Sequence, residues 1–438
     1  MASIGSLSVS DLINHTIPYQ ITALSIGLLV VLILLIDHAD ILLRSWHVRG
    51  LYCVTSQTLF KTRFRKKLSG AELENALQYA YDNYTKQGKP FATKADLESW
   101  IILLPSKAMK EWCNLPYSHL NFTRYLQDVA AMGYHTQVDC QTHLRTVMAY
   151  NQKKHFVLGP KFSRDQELMA QITSHVMALL RSGESAADDL TMLTVFLKQA
   201  LKDGLLTKEQ SPSDDMQFES LSMKSLFHIY EVWGPIVPLL IALLSRIMDS
   251  PEYVEDLREE VSGALASADG WDSDFLANTP KLESFTRETL RLNVAISVSV
   301  SRVLHAPLKL KSVDIDLPKG SYIGLPCKFM HTDPELYPDP LTFDRYRFYD
   351  KASNTSTARA TTASETFLPF GYGASLCPGR FIGVKAAQVL FSRFLLEYDV
   401  QFLSKGQKFA PMVLLENTWT YPEMDVMAKV RRRQPKSP

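Results

Sequence analysis

The stretch Phe370-Gly371-Tyr372-Gly373-Ala374-Ser375-Leu376-Cys377-Pro378-Gly379 sets glycines on both sides of one cysteine and leads into an apolar run from Phe381 that predicts a helix. Glycine lets a backbone approach a flat ligand closely and adopt positive φ. Amide N–H groups around a sulfur, and the N-terminus of a following helix, stabilise its anionic form. Such a segment can present a thiolate. Spacing alone leaves a second reading open, a turn that contains a bystander thiol.

The same segment resembles the haem-binding loop of the cytochromes P450, Phe-x-x-Gly-x-x-x-Cys-x-Gly, with Phe370, Gly373, Cys377 and Gly379 in register. Two further signatures of that family precede it in the right order. Glu288-Thr289-Leu290-Arg291 resembles the Glu-x-x-Arg of its helix K, and Phe343-Asp344-Arg345-Tyr346-Arg347-Phe348 resembles the later motif whose arginine, here Arg347, completes a triad with that pair. Glu288 and Arg291 stand three apart and share a helix face, where a carboxylate between two guanidiniums can be charge-paired even when buried. An isolated pair of this kind on a surface is worth only a few tenths of a kcal/mol.

The resemblance spans nearly the whole chain and implies a mainly α fold with a small β region, preceded by a single N-terminal transmembrane helix. It implies haem b (iron protoporphyrin IX) with Cys377 as the axial ligand of the iron, and electrons from NADPH through NADPH-cytochrome P450 reductase. It also places Arg302, in Val300-Ser301-Arg302-Val303, on a haem propionate; an exposed strand arginine is the competing reading.

Three departures from the family stand out. Ser375 occupies the position, two before the cysteine, where the family usually has Arg or His reaching a propionate, so one propionate must find another donor. The stretch between the N-terminal apolar run and Glu288 is short for a membrane-bound member, which predicts a trimmed substrate entrance. The oxygen-activation motif of helix I falls on Glu231-Val232-Trp233-Gly234-Pro235-Ile236, so that Gly234 replaces the usual acid and Pro235 the usual threonine. No threonine occurs between Thr207 and Thr279, so no change of register restores the alcohol. That acid and alcohol normally deliver protons, and their loss removes a general-acid route. A Gly-Pro here resembles the prostacyclin synthase branch of the family, which holds both isomerases and oxygenases. Pro235 can equally serve to kink a long helix.

Outside these motifs the chain is bland in useful ways. Its 438 residues carry 47 basic and 46 acidic side chains, a formal charge of +1, so no global field draws it onto nucleic acid. Five cysteines at irregular spacings suit neither a disulfide framework nor a zinc site. The 25 residues between Asp11 and Asp37 lack a formal charge, and Ile21 to Ile36 is polar only at Thr22 and Ser25, long enough to span a bilayer. Seven Lys and Arg follow between Asp37 and Lys67 and none precedes, which puts the C-terminal side in the cytosol. The expected organisation is a lumenal tip and anchor over residues 1–40 and a catalytic domain over 41–438, held on the endoplasmic reticulum membrane. Helical patterning dominates, with a long apolar helix from about Leu221 to Asp249 and a restart at Ser250-Pro251-Glu252. Strand-like alternation appears from Leu308 onward, and Arg431-Arg432-Arg433 reads as a solvated end.

Trp233, Ile236, Val294 to Val300 and Met412 to Leu415 suit a pocket wall or plain core equally. The leading expectation is a fungal-type haem-thiolate monooxygenase of secondary metabolism, acting on a hydrophobic terpenoid, polyketide or alkaloid. The alternatives are a haem-thiolate isomerase, dehydratase or oxidative-coupling enzyme needing no external electrons, and a haem-binding protein without turnover.

Overall fold

The computed structural model describes residues 51–54, 70–94, 100–122, 235–271, 273–293, 297–404, 413–415, 419–421 and 427–434, with a few gaps and isolated positions besides. Of the apolar run Ile21 to Ile36 only positions 27, 28, 31 and 32 are described, and they are helical. The expected anchor thus lies largely outside the described residues, among which no helix is long and apolar enough to cross a membrane. Glu231, Trp233 and Gly234 also lie outside them. The chain divides into two compact units, 1–51 and 52–438, and all the elements below belong to the second.

A six-stranded sheet is assembled from β1 (Tyr52–Val54), β2 (Phe91–Lys94), β3 (Trp100–Leu103), β4 (Leu120–Asn121) and β5 (Ser299–Leu304). After a small hairpin of β6 (Leu308–Leu310) and β7 (Ile315–Leu317), β8 (Tyr322–Leu325) joins it, in the order β1-β2-β3-β8-β5-β4. The β3–β8 pairing is parallel, so strands far apart in sequence meet at the centre. This sheet begins well before Leu308, where alternation first suggests strands. The reason is burial: Ile101, Ile102 and Leu103 of β3 are all fully enclosed, so both faces are covered and no polar–apolar period marks the strand. The alternation at Leu308 stops after three residues, because Lys311–Val313 form a 3-10 turn that ends in Asp314 at φ 45°.

Four helices carry the main core: α1 (235–249), α2 (Val254–Ser267), α3 (Pro280–Leu292) and, after the short α4 (Cys327–His331), α5 (Arg380–Glu397). Ile236, Leu243, Leu257, Val261, Phe285 and Phe391 pack together in it. The rings of Phe285 and Phe391 stack with centroids 5.6 Å apart and planes 10° from parallel. The restart after α1 is a 3-10 turn, Pro251–Tyr253, and the Ser250 side chain makes no capping bond there.

The start of α3 is capped by a neighbour instead. Glu260 of α2 accepts the Lys281 and Leu282 amides, both at 2.8 Å, and so satisfies two of the orphan donors of the first turn. Burial outweighs those bonds and pushes the carboxyl up to about 7 from its ordinary 4.5. A carboxyl whose pKa is higher when folded keeps a proton that the unfolded chain has lost. The stability that Glu260 contributes is therefore fully present below about pH 4.5 and declines as pH rises through about 7. We expect Glu260→Gln to flatten that decline, by up to about 3 kcal/mol over the window, in denaturant titrations across the range. An unchanged slope in the variant would refute the assignment.

Candidate active site around Cys377

The cysteine loop is shaped by its own backbone. The Gly371 amide donates to Leu368 O at 3.0 Å, Leu376 N to Gly373 O at 3.1 Å, and Cys377 N to Phe370 O at 2.9 Å, with a 3-10 turn over Gly373–Ser375 between them. Gly373 sits at φ +73° with its Cα against the Cys113 carbonyl, so a Cβ there would clash with backbone. Ala374 N donates to that same carbonyl at 3.1 Å. The loop is thereby pinned to the chain just after the helical turn Met109–Trp112.

Cys377 is half-buried, and α5 begins three residues later with Gly379 as its N-cap. A Cβ on Gly379 would lie 3.9 Å from the Cys377 sulfur, so the absence of a side chain keeps space beside the thiol. Arg380 bonds the Cys377 carbonyl at 2.6 Å and Thr361 O at 3.2 Å. Burial lowers the pKa of its guanidinium, and the charge of the nearby Cys377 raises it.

Behind the loop lies an ionic knot. Arg291 donates from Nε and Nη2 to the two Glu288 oxygens at 2.8 and 2.7 Å, and both residues are wholly buried. Arg347 approaches the same carboxylate through Nε at 3.0 and 3.1 Å. Spare guanidinium donors reach the carbonyls of His331, Pro338 and Pro340, and the Asp344 amide adds a bond to Glu288. The knot connects to the loop through His331. Its Nδ1 lies 3.1 Å from Arg291 O and its Nε2 accepts the Leu368 amide at 2.9 Å, which fixes a neutral imidazole protonated on Nδ1. Burial pushes its pKa down to about 3. Arg287 adds a second tie, donating to the carbonyls of Arg359 and Thr362 while its guanidinium lies 3.7 Å over the Phe367 ring.

Arg302 projects from β5 on the sheet side of the loop. It is 3% exposed, and burial pushes its guanidinium down to about 10. Among the described residues its hydrogen bonds go to carbonyls, Ser301 O at 2.7 Å and Tyr372 O at 3.4 Å, and its charge faces the Phe122 ring. Among the described residues no carboxylate pairs with it. It is therefore not the exposed strand arginine of the alternative reading. The register of β5 shifts between Ser299 and Arg302, where Val300 takes φ 57°, a strained conformation for a β-branched residue.

Phe370, Gly373, Cys377 and Gly379 thus form one loop that Arg302 meets at Tyr372, while Glu288, Arg291 and Arg347 form a separate knot tied to it through His331. Pro235 is helical and exposed in α1, and the next residue, Ile236, is buried where it faces Gly383 of α5. Cys113 and Tyr117, whose hydroxyl accepts a 3.1 Å bond from Ser375, belong to the site without any sequence signal, whereas His331 lies in Met330-His331-Thr332-Asp333-Pro334, a segment the family resemblance takes in. Cys113 acts through its carbonyl, which every residue type carries.

The sequence profile of the family described as Cytochrome P450 matches residues 236–417. Cytochrome P450 monooxygenase cnsC of Penicillium expansum is 30% identical over 444 aligned positions, which take in 76% of this chain and 88% of that protein. Cytochrome P450 monooxygenase verB of Clonostachys rogersoniana is 25% identical over 473 positions, covering 86% and 92%. Bicoumarin synthase ktnC of Aspergillus niger is 35% identical over 288 positions, covering 65% and 66%.

Proposed function

This chain belongs to the cytochrome P450 family and is an oxidoreductase of its monooxygenase kind, and on that premise we propose that it oxidises a hydrophobic small molecule in fungal secondary metabolism, with Cys377 as the sulfur ligand of a haem b iron. Arg302 carries the assignment of the site. A buried guanidinium with no acid beside it among the described residues, next to a glycine-lined loop that presents a half-buried cysteine, fits a flat group with carboxylates on its edge and a metal at its centre. When bound, haem supplies an iron whose thiolate ligand pushes electron density toward the metal and favours O–O cleavage.

The chain's own contribution is orientation. Phe370 O, Cys113 O and His331 fix the loop, Arg302 takes a carboxylate of the cofactor, and Gly379 leaves room beside the sulfur. Gly234 and Pro235 carry no titratable group, so the protons come from elsewhere. Water, a hydroxyl of the substrate, or Glu231, four residues before Pro235 in the sequence, takes over that task.

Terpenoid, polyketide and alkaloid skeletons are the proposed substrate classes, supported by the fungal relatives, one of them named a bicoumarin synthase. NADPH-cytochrome P450 reductase supplies the electrons. Residues 1–40 anchor the 41–438 domain on the cytosolic face of the endoplasmic reticulum, a reading supported by the uncharged run and the basic residues after it. The Gly234-Pro235 pair also favours a second reading, an isomerase or dehydratase that needs no reductase.

Turnover of the substrate by microsomes under labelled dioxygen, with and without reductase, separates the two. Labelled product that requires reductase, from protein that leaves the membrane pellet once residues 1–40 are removed, is the expected result. Label-free product without reductase would replace the monooxygenase reading with the isomerase one. A full-length protein found in the supernatant would refute the anchor.

A further inference from the structure

We propose that Tyr117, oriented by Ser375, is a second donor beside Arg302 to the carboxylate edge of the haem, an inference that rests on the haem-thiolate reading above. Ser375 Oγ donates to the Tyr117 hydroxyl at 3.1 Å. The phenol oxygen is thus used as an acceptor and its own proton is directed elsewhere, yet no acceptor for it occurs among the described residues. The phenol and the Cys113 thiol lie within electrostatic reach of Arg302, whose hydrogen bonds among the described residues go to carbonyls.

Two donors and a supporting hydroxyl therefore meet at the loop, Arg302 at Tyr372 and Tyr117 at Ser375, with no acid among them. Donor sets of this kind, short of acceptors, recognise carboxylates, and a cationic and a neutral donor together can hold two of them or grip one from two sides. Loop geometry keeps the set in place. Gly373 is packed on the Cys113 carbonyl, so the Met109–Trp112 turn that leads to Tyr117 and the Gly373–Ser375 turn that carries Ser375 cannot drift apart. Tyr117 would touch the cofactor, and Ser375 acts through Tyr117 as a positioning residue.

The test follows haem transfer from the holoenzyme to a haem-scavenging apomyoglobin, together with the midpoint potential of the iron. Tyr117→Phe removes the donor and keeps the ring. It should speed haem loss roughly tenfold, the effect of one hydrogen bond to a charged group. It should also shift the potential to more negative values, since a less neutralised carboxylate stabilises the oxidised iron. The reduced carbon-monoxide spectrum should stay that of a thiolate-ligated haem. Ser375→Ala should speed loss by a smaller factor and add nothing on top of Tyr117→Phe. Wild-type loss rate and potential in Tyr117→Phe would overturn the proposal, as would an effect of Ser375→Ala that persists in full without the phenol. Should Tyr117→Phe not fold, Ser375→Ala decides alone: unchanged loss and potential would overturn the proposal. A wild-type protein whose haem lacks thiolate character would instead refute the underlying assignment of Cys377.

Discussion

Cys377→Ala is expected to abolish both the strongly red-shifted Soret band of the reduced carbon-monoxide complex and all oxygenation, while far-ultraviolet circular dichroism stays that of the wild type. The separation follows from which atoms do what. The loop is held by the Cys377 amide on Phe370 O and by the Arg380 bond to the Cys377 carbonyl, and alanine keeps both. Only the sulfur is lost, and with it the ligand. The other described thiols do not substitute: Cys327 is wholly buried, which holds its thiol far above the usual range and so neutral, and burial likewise raises Cys113 and Cys53. A variant that kept the red-shifted band would falsify the assignment of Cys377.

The second large effect concerns stability. Glu288→Gln should lower it by about 3–5 kcal/mol, the cost of leaving buried charges uncompensated, against a total of about 5–15 kcal/mol for a typical domain. Arg291 and Arg347 would then face an amide that neutralises neither of them. Little folded, haem-containing protein should accumulate, as read from the denaturation midpoint and the haem-to-protein ratio. Arg347→Lys should cost less, since it keeps a positive charge at the less buried end of the knot, although it loses the Nε bonds to Glu288 and the fork that reaches the Pro338, Asp339 and Thr342 carbonyls. A Glu288→Gln protein within about 1 kcal/mol of wild type would show that the triad is dispensable.

Legibility in the sequence tracked chemistry carried by side chains at short spacing. Phe370 to Gly379 is contiguous, and Glu288 and Arg291 sit one turn apart on α3, so each pattern can be seen without knowing the fold. The partners that aim these groups are remote or are backbone. His331 lies 40 residues from Arg291, and its part in tying the two together shows only when both ring nitrogens are seen to be used. The Cys113 carbonyl has no sequence signature at all. Strand β3 escaped because burial on both faces erased its period, and the ladder from Tyr52 to Asn121 went with it. At the other end, Arg431 and Arg432 are exposed and Arg433 is half-buried, and the run is not a loose end. Residues Ala428–Arg432 pair as a strand with Tyr398–Phe402, and Arg431 meets Asp399 at 2.8 Å. Cross-strand pairing is decided by a partner 32 residues away, which a count of local charges cannot see.

His331 gives the architecture an unexpected genetic reach. One imidazole ties the main chain of the ion-pair helix to the main chain that leads into the ligand loop, and Arg287 adds a parallel strut through Arg359 and Thr362. Segments joined in this way open together, as a single foldon, and not one after the other. Loss-of-function alleles should therefore scatter across α3, α4 and the meander from Asp333 to Phe367, far from any reacting atom. In a screen they would be indistinguishable from changes at the cysteine itself.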